Sequence, residues 1–175
     1  VSDFEPEPSA MIWDGAGPGQ WDAAPSRWAV SAGFPAAPYP DGDVDARVKS
    51  DVVTVSGDQS ARRLAVESGG IAISPGASLT ITGRTFENSA TFASGTALSL
   101  GSGAAFSAMT GTIASVASTG SAQIGADSSL SIGSLSLAPG STLTKTGQGI
   151  VALDNSSGSA VTADATVTST ASRCQ

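Results

Sequence analysis

The 175 residues include no histidine and a single cysteine, and only 13% of the side chains are charged and 5% aromatic. Without imidazole, no side chain titrates unperturbed near neutral pH, and the commonest general base and metal ligand is missing. No serine or threonine therefore has a histidine to activate it, and Lys49 and Lys145 stand outside a Ser-x-x-Lys context, so nucleophilic catalysis has nothing to assemble from. The lone thiol, Cys174, excludes an intrachain disulfide framework, and the fold must hold without one. Eight basic against 15 acidic residues, a net charge of −7, leave no clustered basic surface, which excludes nucleic acid as a partner. Long apolar runs are also lacking: none approaches the ~20 residues of a membrane-spanning helix, so no membrane insertion is expected.

What remains is small and apolar. Forty per cent of the residues are hydrophobic and the mean hydropathy is +0.11, whereas disordered chains combine low hydrophobicity with high charge. A folded chain of small residues is expected. The first residue is Val1 rather than Met, as in a chain whose signal peptide has been cleaved, so secretion to an extracellular or cell-surface location is expected.

Two compositional halves are visible. Residues 1–70 hold 11 acidic and 5 basic side chains, and residues 71–175 hold 4 and 3. The first part also contains Trp13, Trp21, Trp28, Tyr39 and seven prolines between Pro6 and Pro40. Proline at that density excludes a long helix or a central strand and predicts an irregular, aromatic-stapled segment over residues 1–50.

From Asp51 onward, short runs alternate aliphatic with Ser, Thr or Ala: Val52 to Val55, Ile71 to Ile73, Leu79 to Ile81, Leu98 to Leu100, Leu130 to Ile132, Leu135 to Leu137 and Ile150 to Leu153. Period-two alternation in such short runs marks strands with one buried face. Glycine punctuates them at Ser68-Gly69-Gly70, Pro75-Gly76, Ser94-Gly95, Gly101-Ser102-Gly103 and Pro139-Gly140, where tight corners demand positive φ. Four stretches repeat one module: GASLTITG, SGTALSLGSG, GADSSLSIG and PGSTLTKTG. A repeated unit marks stacked coils, and the uneven spacing of Leu79, Leu98, Leu130 and Leu143 suits corner loops of variable length. The expected fold is all-β, a right-handed parallel β-helix (β-solenoid) over residues 51–175, with residues 1–50 as an irregular aromatic- and Pro-rich N-terminal cap. A solenoid's terminal coils expose strand edges, and only the N-terminal end carries material to cover them.

The stretch GSTLTKTGQGIVALD resembles the autotransporter-associated β-strand repeat, with Leu143, Thr144, Lys145, Gly147, Gly149, Ile150, Val151 and Leu153 at its positions. Trp13, Asp14, Gly15, Trp21 and Trp28, followed by Val52, Val53 and Val55, are similar to the opening Trp-Asp-Gly module of large secreted repeat proteins. The resemblance implies a passenger-like β-helix on a bacterial surface.

Candidate chemistry is sparse. A β-helix polysaccharide enzyme needs converging carboxylates, but Glu87, Asp127, Asp154 and Asp164 are isolated in sequence. Asp41, Asp43 and Asp45 resemble half of a calcium loop without its closing glutamate, and are a weak metal candidate beside the simpler reading of a solvated acidic turn. No cofactor and no catalytic residue is expected, so the chain is not expected to be an enzyme. The leading expectation is a structural protein that forms homo-oligomers, head to tail into a filament or sheath, using Trp13, Trp21 and Trp28 at one end and Val161, Val167 and Cys174 at the other. The alternative is a monomeric adhesin that binds glycans along a Ser/Thr-rich flank.

Overall fold

The computed structural model describes residues 10–14, 17–22, 27–30, 35, 37, 39, 44–84 and 87–154, and the backbone of two short strands at 160–161 and 166–169. Among these residues the only regular structure is β: sixteen strands in one continuous sheet, and no helix. Every strand-to-strand ladder is parallel. The chain circulates around three faces, and each circuit lays its strands on those of the circuit before.

The first face stacks β1 (Ala10–Trp13), β3 (Asp45–Val48), β6 (Leu64–Val66), β9 (Ser89–Phe92), the middles of β11 (Ala105–Ser118) and β12 (Ala122–Leu137), and β14 (Ile150–Leu153). The second stacks β2 (Gly19–Gln20), β4 (Val52–Val55), β7 (Gly70–Ile73), β10 (Ala97–Leu100), the ends of β11 and β12, and β15 (Ala160–Val161). The third stacks β5 (Asp58–Ala61), β8 (Ser78–Ile81), the starts of β11 and β12, β13 (Thr142–Thr146) and β16 (Thr166–Ser169). The body is thus an all-β, solenoid-like stack of seven levels, counted along the first face. β11 and β12 run through all three faces without interruption.

Parallel stacking places equivalent side chains above one another about 4.8 Å apart, so the interior is built from columns. On the second face one inward column reads Val53, Ile71, Leu98, Val116, Leu135, and its neighbour Val55, Ile73, Leu100, Ser118, Leu137, all of them buried. The one hydroxyl there, on Ser118, donates to the Gly120 carbonyl at 2.8 Å, which satisfies it inside an aliphatic column. On the first face the column Met11, Ala46, Leu64, Ala90, Gly111 and Leu130 intersperses large residues with small ones, so wide side chains fill the space left by narrow ones. Leu98 lies fully buried between Ile71 and Val116. Leu98→Ala should lower the unfolding free energy by about 2–5 kcal/mol, because rigid backbone ladders above and below limit collapse of the cavity; urea denaturation measures it.

Four corners use one turn: Ser74 to Ala77, Ala93 to Thr96, Gly101 to Ala104 and Ala138 to Ser141. In each, the fourth residue's amide donates to the first residue's carbonyl at 3.0–3.1 Å. The third residue is a glycine with φ between 73° and 84°, a conformation that a Cβ disfavours. The fourth residue is buried, and where it is polar its hydroxyl reinforces the turn: Thr96 donates to Ala93 and Ser141 to Ala138, at 2.7 and 2.6 Å. This explains why the corners alternate glycine with a small or hydroxylated residue.

Candidate functional site

The two ends of the stack are built differently, and the contrast comes from the residues on them. At the N-terminal end Trp13, Trp21, Trp28 and Tyr39 meet in edge-on or tilted pairs with ring centroids 4.7–5.3 Å apart. The three indoles are 0–1% exposed, and Trp13 lies in line with Val48 and Val66. Two have partners: Trp13 Nε1 donates to Gly17 O at 3.2 Å and Trp28 Nε1 to Trp21 O at 2.8 Å. The Trp21 indole N–H is buried and makes no hydrogen bond. The free edge of β1 is also occupied, since Ile12 and Ala29 exchange two backbone bonds in an antiparallel bridge at 2.7 and 2.9 Å, and Ala37 then bridges to Trp28.

Tyr39 belongs to this end. Its hydroxyl donates to the Val44 carbonyl at 2.6 Å. Burial, together with the negative charge of Asp45, pushes its proton affinity far above the ordinary phenol value near 10, with Arg62 opposing. The folded state therefore keeps a proton that the unfolded chain releases, so stability is complete below about pH 10 and falls as the pH rises past it. Above about pH 10 the native protein should lose up to ~1.4 kcal/mol per pH unit, and Tyr39→Phe should flatten that slope in urea titrations.

At the C-terminal end the situation is reversed. β14 pairs with β12 on one side only, and among the described residues no strand occupies its outer edge. Val151 and Leu153 continue the inward columns of Leu130 and Ile132. Leu153 is nevertheless 45% exposed, and Ile150 on the outward side is 68% exposed. Lys145 stands in an inward column, in register with buried Ile124, and turns its ammonium to donate to the Gly147 carbonyl at 2.6 Å. Asp154 lies exposed just past the other end of β14. Lys145 is in register with Ser169 of β16, so the third face runs one strand past this level, whereas the first face ends, among the described residues, at β14 with its exposed aliphatics.

Between the ends lies an uncharged flank. From Asn88 to Ala126 there is no charged residue. On the first face Ser89 and Thr91, Thr110 and Thr112, and Ser129 and Ser131 stand in register, giving a grid of six outward hydroxyl groups. Levels are about 4.8 Å apart and alternate residues about 6.6–6.8 Å apart along each strand.

Several sequence-predicted positions can now be placed. Trp13, Trp21 and Trp28 come together as the interior of the N-terminal end, and offer no side-chain surface to a neighbouring molecule. Val161 and Val167 lie in β15 and β16, paired through the backbone to Leu137 and Leu143. Cys174, Asp41 and Asp43 lie outside the described residues. Asp45 is engaged by Arg62 Nε at 2.8 Å, a partly exposed pair worth about 0–1 kcal/mol. Glu87, Asp127 and Asp154 sit on corners of different levels, and among the described residues no three acidic or thiol side chains group as metal ligands. Ile150, Leu153 and Asp154 were not singled out from sequence as an end. Their strand was legible, but its outermost place in the stack depends on register.

No family model, curated protein or solved structure matches the chain.

Proposed function

We propose that this chain is a non-catalytic, extracellular structural protein of a bacterial surface, a right-handed β-solenoid capped by its aromatic N-terminal segment, that associates with its own copies through the uncapped C-terminal end. The observation that carries the reading is the contrast between the ends. Solenoids with open edges must cover them, and here one edge is bridged at Ile12 while the other leaves Ile150 and Leu153 exposed. An autotransporter-like surface origin agrees with Leu143 to Leu153 and with the secreted character of the composition. The expected partners are further copies of this chain, with no cofactor. Light scattering behind size exclusion, over a dilution series, tests it: the apparent mass should exceed 17.1 kDa and decline on dilution, and a constant 17.1 kDa overturns association.

A second reading is supported by the uncharged flank. A flat grid of hydroxyls without competing charge suits a neutral glycan laid along the first face, as in an adhesin. Thr91→Glu with Thr112→Glu should then abolish retention on glycan arrays while leaving the association state unchanged.

A further inference from the structure

Resting on the glycan reading above, we propose that the hydroxyl grid of the first face ends in an anion site at Arg63. The ligand it fits is a glycan whose neutral chain carries a carboxylated sugar at its end.

The site begins with a column. Ser89, Thr110 and Ser129 stand one above another on the outward side of the first face. Arg63 precedes inward Leu64, which is in register with Ala90, so the arginine points outward beneath Ser89, at the foot of that column. The neighbouring column continues below Thr91 as Ala65, which brings neither a charge nor a competing donor. Among the described residues, the hydroxyls of Ser89, Thr91, Thr112, Ser129 and Ser131 bond to no other group, and only Thr110 donates back to the chain, to the Asn88 carbonyl at 3.2 Å. Each free hydroxyl can donate to one sugar oxygen and accept from another.

The charge comes from the corner beneath. Arg63 Nε donates to the Glu87 carbonyl at 3.5 Å, which draws the guanidinium across the turn leading into β9. Asp45 is engaged by Arg62 at 2.8 Å and Glu67 by Arg47, and among the described residues Arg63 has no ion pair. Arg84 lies on the same corner one level up, because the Gly83 amide donates to the Arg62 carbonyl at 3.0 Å; it is exposed, and it also has no ion pair among these residues. Two such guanidinium groups beside a chargeless grid, in a chain of net charge −7, set a local field that favours an anion at this corner. The planar guanidinium fork matches a carboxylate. The grid above has no cation to meet further acids, so the acid belongs to one terminal sugar rather than to every sugar along the chain. Glu87, exposed and without an ion pair among the described residues, is the carboxylate that competes with it.

Surface plasmon resonance of the full chain over immobilised sialyllactose, with lactose beside it, tests this, because the two glycans differ only by the carboxylated sugar. The intact protein should bind sialyllactose about 10- to 100-fold more tightly than lactose, the range for a hydrogen-bonded pair with charge. Arg63→Gln should bring the two glycans level. Glu87→Gln should increase the preference, a gain that misfolding does not produce. Equal binding of both glycans by the intact protein, or a preference that survives Arg63→Gln, overturns the anion site and leaves the neutral-glycan reading intact. Binding of dextran sulfate as tight as that of sialyllactose overturns it too, as unspecific charge attraction. Binding of neither glycan overturns both readings.

Discussion

Trp28→Ala is expected to lower the unfolding free energy by about 3–5 kcal/mol, a large share of the ~5–15 kcal/mol available to a domain. Trp28 touches both other indoles, with centroid separations of 5.3 and 4.7 Å, and Tyr39 at 4.8 Å. Its own N–H is bonded to the Trp21 carbonyl, and its backbone carbonyl accepts from Ala37. Removal of the ring empties the centre of the aromatic cluster, orphans the Trp21 carbonyl and loosens the segment whose Ala29 occupies the edge of β1. Urea denaturation followed by circular dichroism should show the lower midpoint. Exposure of the β1 edge should also raise the tendency to aggregate, visible as scattering during concentration. Wild-type stability in the variant would mean that the cluster is not the closure of that end.

The second large effect is expected at Gly69. It adopts φ of 80°, and a Cβ built there would lie 1.7 Å from the backbone oxygen of Asp51 in the level beneath. Asp51 itself has φ of 62°, rare for a residue with a side chain, and is held there by the amide of Gly17 and the hydroxyl of Ser50, both donating to its carboxylate. The corner is thus a stack of positive-φ residues, Gly17, Asp51 and Gly69, and at Gly69 the backbone beneath lies too close for a methyl group. Gly69→Ala combines a strained conformation, about 1–3 kcal/mol, with a clash that only separation of two levels can relieve. The variant should accumulate as insoluble protein or melt well below the native chain. By contrast, Gly140→Ala meets the same conformational cost but no neighbouring atom within 4 Å, so the difference between the two melting temperatures isolates the clash.

Much of this architecture was legible in the residues. The alternation in Val52 to Val55 or Leu98 to Leu100 reports an inward and an outward side, and the glycines of Pro75-Gly76 and Pro139-Gly140 mark corners because only they accept the turn's third position. What the pattern did not reveal was which strand lies on which. Leu79, Leu98, Leu130 and Leu143 look like one repeated position, yet they stand on the third, second, first and third faces. The true column on the second face advances by 18, 27, 18 and 19 residues, from Val53 to Ile71, Leu98, Val116 and Leu135. The long step includes the excursion around Asn88, whose side chain accepts from Met109 N and donates to Ile81 O, tying one level to the next. Register is a property of pairing between distant segments, so local alternation carries no trace of it. The uncovered edge at β14 was illegible for that reason, as was the continuous course of β11 and β12, where Ser115 turns a corner without glycine and Gly133-Ser134 turns one without a positive φ.

The stacking also fixes an order of events for the folding chain. β1 and β2 find their ladder partners 35 and 34 residues away and the later strands 18–27 away, so a lone level has almost nothing to hold it and the first contact between two levels is the expensive one. Once two levels exist, each new one is laid on a ready template, in the manner of thread on a spool. The aromatic cluster, with its interactions concentrated between Trp13 and Tyr39, is the place where such winding can start.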